Sequence, residues 1–402
     1  MKIVQVGGTY GGGGPGATTE YIHKSLLKEG NESYVFQIES NTNDLNVVRG
    51  ISSLGFLVYR ALCRLGLNYS SFSFFRTRKL VRKLKKINPD IVHLRVIHNG
   101  WWNTKILLGY LAKFQKSTVI TLHDMWFITG GCYHFIDERC DKYTSGCLSC
   151  PKSRKQLDCY PALTHLKFEE KNKYLSQIKS LNVIAVSKWV MNNLDNSILD
   201  GRKCEIISNA VDLNIFKPME RRPKKKKTII GVSNFWGSAK CPKDFILLSK
   251  LISDDYQIVL VGNVPSELKQ EMIDNKIVLL GSIHDRKKLA QLYSDADIFV
   301  TFSRQETFGM VIAEAACCGL KTIGYNISAI PEVVTQANGI VVEFGDVNSA
   351  WYHIERVCSR KIRLSELELH QVREHFSMER LINCHLSLYS QIYEEKKDSD
   401  WL

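Results

Sequence analysis

No run of eighteen apolar residues occurs in the 402-residue chain, so the sequence offers no helix able to cross a bilayer. The amino terminus, MKIVQVGGTY, also lacks the apolar core of a secretory signal, because a short strand pattern runs straight into glycines. The expectation is a cytoplasmic protein, at most peripheral on the inner face of the plasma membrane. Nucleic-acid signatures are missing as well: no RNP, KH or zinc-finger pattern accompanies the net charge of +13, which argues against nucleic acid as the anionic partner. Acidic residues are absent from residues 54–86, where nine Lys or Arg are interleaved with Phe56, Tyr59, Phe72, Phe74 and Phe75. That mixture suits an anionic membrane surface, each charge contributing about 1 kcal/mol. It suits equally a pair of core helices with solvated basic faces.

At 402 residues, 44% hydrophobic and 24% charged, the chain is globular and long enough for two domains. Apolar β-branched runs alternate with helical patterns from end to end, which predicts α/β architecture with doubly wound parallel sheets. The run ERRPKKKK at residues 220–227 resists burial and reads as a solvated linker or domain edge.

Residues 297–325, DIFVTFSRQETFGMVIAEAACCGLKTIGY, read as strand, polar loop, helix and strand. Glu306 lies in the loop and Glu314 about two turns into the helix, with seven residues between them. The open helix N-terminus between the carboxylates favours a phosphate, and carboxylates suit ribose and sugar hydroxyls, so the pattern points to a nucleotide sugar.

Glu306-x7-Glu314 inside QETFGMVIAEA resembles the signature of retaining GT-B glycosyltransferases of family 4. The resemblance implies two Rossmann-like domains facing an interdomain cleft: an acceptor domain over residues 1–218, a donor domain over 219–380, and a last helix, 381–402, returning to the first. It implies that Glu314 binds the ribose, that Glu306 contacts the sugar, and that the backbone at Phe308, Gly309 and Met310 faces the leaving diphosphate. His123, in TLHD after a strand, falls where the family contacts the donor sugar. Lys240 falls where a cation neutralises the diphosphate, whereas Asn234 replaces the Arg usual there. Gly262 ends a strand where the family holds the base, and Gly13 belongs to the glycine-rich turn that approaches the donor. The expected reaction is metal-independent transfer of a hexose or related sugar from a UDP- or GDP-sugar to a glycan or lipid-linked glycan, with no catalytic cofactor.

Gly11, Gly13 and Gly16 also satisfy GxGxxG, with Glu39 placed for a nicotinamide ribose, so an NAD(P)-dependent oxidoreductase is the alternative. The lost Arg at 234 leaves open a non-catalytic nucleotide-sugar-binding module. Asp295 and Asp297 spell DxD, but they close a helix and start a strand, which argues against a metal motif. After the strand Pro89–Leu94, His98, Asn99 and Trp101 are acceptor-site candidates, or a tryptophan-anchored packing loop.

Cys132, Cys140, Cys147 and Cys150 are spaced C-x7-C-x6-C-x2-C and end in CLSCP. Four thiols so close can hold a structural zinc, although free thiols or a disulfide fit the spacing too, and His134 and Cys159 are substitute ligands. This insert, residues 130–160, resembles a subgroup of family 4 enzymes that build bacterial surface polysaccharides, including colanic-acid-type transferases, exopolysaccharide and lipopolysaccharide enzymes.

Overall fold

In a computed structural model, the described residues are 1–11, 13–38, 42, 44–49, 73–98, 100–152 and 164–401. They divide into two compact units, Met1–Ser208 with Leu381–Leu402, and Asn209–Arg380.

The first unit begins with β1 (Lys2–Val6), α1 (Gly13–Lys28), β2 (Glu32–Gln37) and β3 (Val47–Arg49). It continues through α2 (Ser73–Ile87), β4 (Ile91–Leu94), α3 (Thr104–Lys113) and β5 (Ser117–Leu122). Then come α4 (Thr164–Gln177), β6 (Leu181–Ala185), α5 (Lys188–Asn192) and β7 (Lys203–Ile206). The seven strands pair in parallel in the order β3-β2-β1-β4-β5-β6-β7. Every residue of β4, β5 and β6 is buried, as expected of parallel strands covered on both faces. Strand order reverses between β1 and β4, so their carboxyl ends form the switch point where such sheets take ligands.

The second unit carries β8 (Lys227–Phe235), α6 (Pro242–Ser249), β9 (Tyr256–Asn263), α7 (Ser266–Asp274) and β10 (Val278–Leu279). After these come α8 (Arg286–Asp295), β11 (Ile298–Thr301), α9 (Met310–Cys317), β12 (Thr322–Tyr325) and α10 (Ile330–Val333). β13 (Gly339–Val342), α11 (Val347–Ser359) and α12 (Glu366–His375) complete it. Its parallel order, β10-β9-β8-β11-β12-β13, places the switch between β8 and β11. The core gathers Ile229, Phe245, Leu260, Ile298, Phe302 and Ile323, all fully buried.

A final helix, α13 (Met378–Trp401), buries Leu381, His385, Leu388, Tyr389 and Ile392 at helical spacing. Its Tyr389 hydroxyl meets His93 Nδ1 at 2.6 Å, which ties α13 to β4.

Two expectations are corrected. The strand expected over KIVLLGSIH shrinks to β10, since it lies at the sheet edge and Gly281 turns away at φ +64°. Glu314 sits just over one turn into α9, because the helix begins at Met310. The basic run stays at the surface, residues 220–226 being exposed, and is docked there: Arg222 pairs with Asp295 at 2.5 Å, and Arg221 and Lys224 pair with Asp297 at 2.6 and 2.5 Å. Those carboxylates, at the end of α8 and just before β11, give the cations a fixed place to dock. Of residues 54–86, only 73–86 are described. There α2 buries Ser73, Thr77, Leu80 and Leu84 and exposes Arg78, Lys79, Arg82, Lys85 and Lys86.

Candidate active site

At the switch point of the second unit, β8 ends in a bulge and leads into a short 3-10 turn, Ser238–Lys240. The loop after β11 is stitched to that turn, Arg304 N–H donating to Ala239 O at 2.9 Å and Ser303 Oγ donating to the same oxygen at 3.3 Å. This brings Lys240 Nζ onto Glu306 Oε1 in a short ion pair. The side chains are 28% and 16% exposed, so the pair is partly screened and can exchange partners with a ligand.

The Glu306 backbone is held from both sides. Its N–H donates to Ser328 Oγ at 3.1 Å, and its carbonyl accepts Ala329 N–H at 3.2 Å. Beyond it, Phe308 is buried edge-on against Phe376 with centroids 5.9 Å apart, so its side chain anchors the loop and leaves the backbone for contact. Gly309 caps α9 at φ +99°, a left-handed conformation that glycine adopts without strain. With no side-chain cap there, the N–H groups from Gly309 and Met310 onward present the positive end of the helix dipole.

Glu314 lies on the same helix beside the buried Tyr293 and within electrostatic reach of Arg286. Burial pushes its carboxyl up to about 7, against the opposing pull of Arg286. Arg286 in turn stacks over Phe216, 5.1 Å from the ring centre, and lies 3.9 Å from Asp212. Asn234 is exposed in the bulged end of β8. Gly262, at the end of β9, donates its N–H to Gly281 O at 2.7 Å.

In the first unit, the glycine-rich loop after β1 packs on the tryptophans that follow β4. Trp102 Nε1 donates to Gly7 O at 3.0 Å, and a Cβ on Gly8 would fall 1.8 Å from the Trp101 ring, so only glycine fits there. Gly13 opens α1. His98 is buried and holds Asp124 Oδ2 at 2.7 Å, while its ring stacks on Tyr133 at 4.5 Å and lies parallel to Trp101 at 6.2 Å. Burial alone would raise Asp124, but His98 and the Trp126 N–H hold it below the usual carboxylate range. Asn99 and Glu39 lie outside the described residues.

His123 follows β5 and meets a residue that sequence reasoning missed, Arg95, whose Nη1 lies 3.3 Å from His123 Nε2. Burial, then Arg95, pushes His123 down to about 3. The signal for Arg95 was an isolated cation immediately after the apolar strand β4. Tyr133, Asp124 and Arg286 were likewise unforeseen partners.

Cys132, Cys140, Cys147 and Cys150 are free thiols around one small cavity. Among the described residues no group of three or more His, Cys, Asp or Glu is placed so that it could hold a metal ion. Cys159, the substitute ligand, lies outside the described residues.

Two parallel-sheet α/β units, with acidic and basic side chains at their switch points, define the GT-B glycosyltransferase fold. The Glycosyltransferase Family 4 description matches residues 12–215, about half of the chain, and the Glycosyl transferases group 1 description matches residues 226–360. The chain belongs to glycosyltransferase family 4 and is a transferase. A protein named as the colanic acid biosynthesis glycosyl transferase WcaC of Escherichia coli K12 is 22% identical over 373 residues, covering 86% of this chain and 88% of its own. Among solved structures, sucrose-phosphate synthase of Thermosynechococcus elongatus superposes with a TM-score of 0.69 at 15% identity over 98% of this chain and all of its own. HepE of Anabaena, in complex with UDP-glucose, gives 0.64 at 16% identity over 97% of this chain and 100% of its own. The match over residues 12–215 includes most of the glycine-rich loop and displaces the nicotinamide alternative.

Proposed function

We propose that this chain is a retaining, metal-independent glycosyltransferase moving a hexose or related sugar from a UDP- or GDP-sugar to a glycan or lipid-linked glycan in surface polysaccharide synthesis. The observation that carries the reading is the Lys240–Glu306 pair beside the uncapped N-terminus of α9, with Glu314 one turn further on. In this reading Glu314 accepts the ribose hydroxyls and Glu306 accepts sugar hydroxyls. Lys240 and the N–H groups at Phe308, Gly309 and Met310 stabilise the departing diphosphate, a preorganised term of about 3 kcal/mol. Gly262 and Asn234 flank the donor, and Gly13 approaches it from the glycine-rich turn. From the first unit, His123 contacts the transferred sugar, and His98, Asn99 and Trp101 receive the acceptor. The acceptor hydroxyl attacks the anomeric carbon on the face from which the diphosphate leaves, its proton passing to the leaving phosphate oxygen, so configuration is retained.

Metal independence is supported by Asp295 and Asp297, whose carboxylates are engaged by Arg222, Arg221 and Lys224. Association with an anionic membrane is supported by α2, which sets Phe75, 79% exposed, beside its basic face. The test is purified protein with UDP- and GDP-sugars, following donor hydrolysis and transfer to lipid-linked acceptors, with the product anomer read by NMR. Retained configuration, unaltered by EDTA and abolished in Glu314→Ala, supports the assignment. Donor binding with no turnover on any acceptor would favour the non-catalytic module instead.

A further inference from the structure

Between β12 and α10 the chain turns through Ser328, whose φ of +53° lies in the left-handed region. Glycine enters that region freely, but a Cβ makes it costly, so a serine held there signals an interaction that offsets the cost. The turn is fixed at both ends. On one side Asn326 N–H donates to Val342 O at 2.7 Å and Ile327 N–H to Tyr325 O at 2.9 Å. On the other, Ala329 and Ile330 are fully buried, and Ile330 N–H donates to Ile327 O at 3.3 Å.

What serine has and glycine lacks at this position is one hydroxyl oxygen. That oxygen accepts Glu306 N–H at 3.1 Å, and the next residue, Ala329, donates its N–H to Glu306 O at 3.2 Å. Two adjacent residues of one turn thus grip both backbone polar groups of a residue 22 positions away. The flanks of the loop are held by other groups, Arg304 N–H by Ala239 O and the Phe308 ring by Phe376. Without the hydroxyl, Glu306 N–H loses its acceptor, and a partly buried donor left unpaired pulls the backbone toward a new partner. The Glu306 carboxylate, paired with Lys240, moves with that backbone.

We propose that Ser328 is a positioning residue for the transfer: its hydroxyl, held by a strained backbone, sets where the Glu306 carboxylate meets the donor sugar. This rests on the functional reading above, in which Glu306 accepts sugar hydroxyls and Glu314 the ribose. Because other groups bind the ribose and the diphosphate, Ser328 acts on rate and leaves nucleotide affinity alone.

The test is release of nucleotide from UDP- and GDP-hexoses by the full-length chain, with UDP and GDP affinity by calorimetry and the melting temperature measured alongside. Ser328→Ala keeps the Cβ and loses the hydroxyl, and Ser328→Gly loses both. Ser328→Thr keeps the hydroxyl and adds a β-branch that fits a positive φ badly. The Ala and Gly variants should both slow hydrolysis per folded molecule by about tenfold with nucleotide affinity unchanged, although Gly melts above Ala. The Thr variant should melt below the wild type and yet turn over at its rate. A merely structural role would rank the rates as the melting temperatures, Gly above Ala and Thr last. That ranking, or an Ala variant at the wild-type rate, overturns the proposal. Wild-type protein that binds neither UDP nor GDP overturns the functional reading instead.

Discussion

Arg95, buried at the carboxyl end of β4, points Nη1 at His123 Nε2 across 3.3 Å and Nη2 at His385 Nε2 across 3.4 Å. A guanidinium only donates, so both Nε2 atoms accept, and both rings are neutral with the proton on Nδ1. His385 agrees independently, since its Nδ1 lies 2.8 Å from Leu381 O, a carbonyl that only accepts. The cation thus sets which tautomer His123 presents.

Replacing Arg95 by Met removes a charge that, after burial, holds His123 down to about 3. Its pKa should rise toward the ordinary value, and the acid limb of the transfer rate should move to higher pH. The apolar chain fills similar space but takes a donor from His123 and His385, so some stability is lost and the rate is read per folded molecule. The pH–rate profile of Arg95→Met, with its melting temperature as control, checks this. An unshifted acid limb would remove the positioning role.

Glu314 predicts a pH-dependent donor affinity. Only the carboxylate accepts two ribose hydroxyls, and burial raises this carboxyl to about 7 in the free protein. UDP should therefore bind more tightly as pH rises from 6 to 8, about tenfold per unit at most below the pKa, and binding should release a proton. Calorimetry in buffers of different ionisation enthalpy measures that release, and Glu314→Gln should abolish it. The same group works against stability in that range. Its folded pKa lies above the unfolded value, so its contribution is lost as pH climbs from about 4.3 through 7.

Lys240 and Glu306 are predicted to act as a unit. Removing the lysine leaves Glu306 beside the departing diphosphate with no cation to neutralise it, so Lys240→Ala should slow transfer by about 100-fold. The double variant with Glu306→Gln should fall short of the product of the single losses, with a coupling of about 1–2 kcal/mol. Single-turnover rates of the four proteins give the cycle. Independent effects would show that the ion pair is incidental to transfer.

The interior strands were legible because burial on both faces selects unbroken apolar β-branched runs, whereas the edge strands β3, β7 and β13 went unread and β10 was overdrawn, since β7, β10 and β13 are largely solvent-facing. Glu306 and Glu314 stood out because a strand, a loop and a helix N-terminus put them in one local pattern, whereas His123 stood out as the His at the end of β5. Arg95 was not, since its burial depends on His385 and Tyr389 of α13, and Arg95 and His385 lie 290 residues apart. An isolated Arg after a strand reads as surface until the helix that covers it is placed. The partners of the basic run at 220–227 were hidden for the same reason, since Asp295 and Asp297 lie more than seventy residues away.

Asp297 gives a prediction that separates scaffold from chemistry in the Asp295-Ala-Asp297 sequence. Its Oδ2 accepts the Thr228 N–H at 2.6 Å at the start of β8 and pairs with Lys224, while its Oδ1 takes Arg221. Burial would raise this carboxyl, but the Lys224 contact and the Thr228 and Arg221 hydrogen bonds hold it below the usual range. Asp297→Asn keeps the shape and loses the charge, leaving Lys224 and Arg221 without that counter-ion. A stability loss of about 1–3 kcal/mol follows, measurable as a lower urea midpoint. Because these carboxylates hold β8 and β11 together at their amino ends, opposite the carboxyl ends that carry Lys240 and Glu306, the rate per folded molecule should stay within about twofold, and added manganese should not change it. A metal-dependent rate lost in Asp297→Asn would assign this pair to catalysis instead.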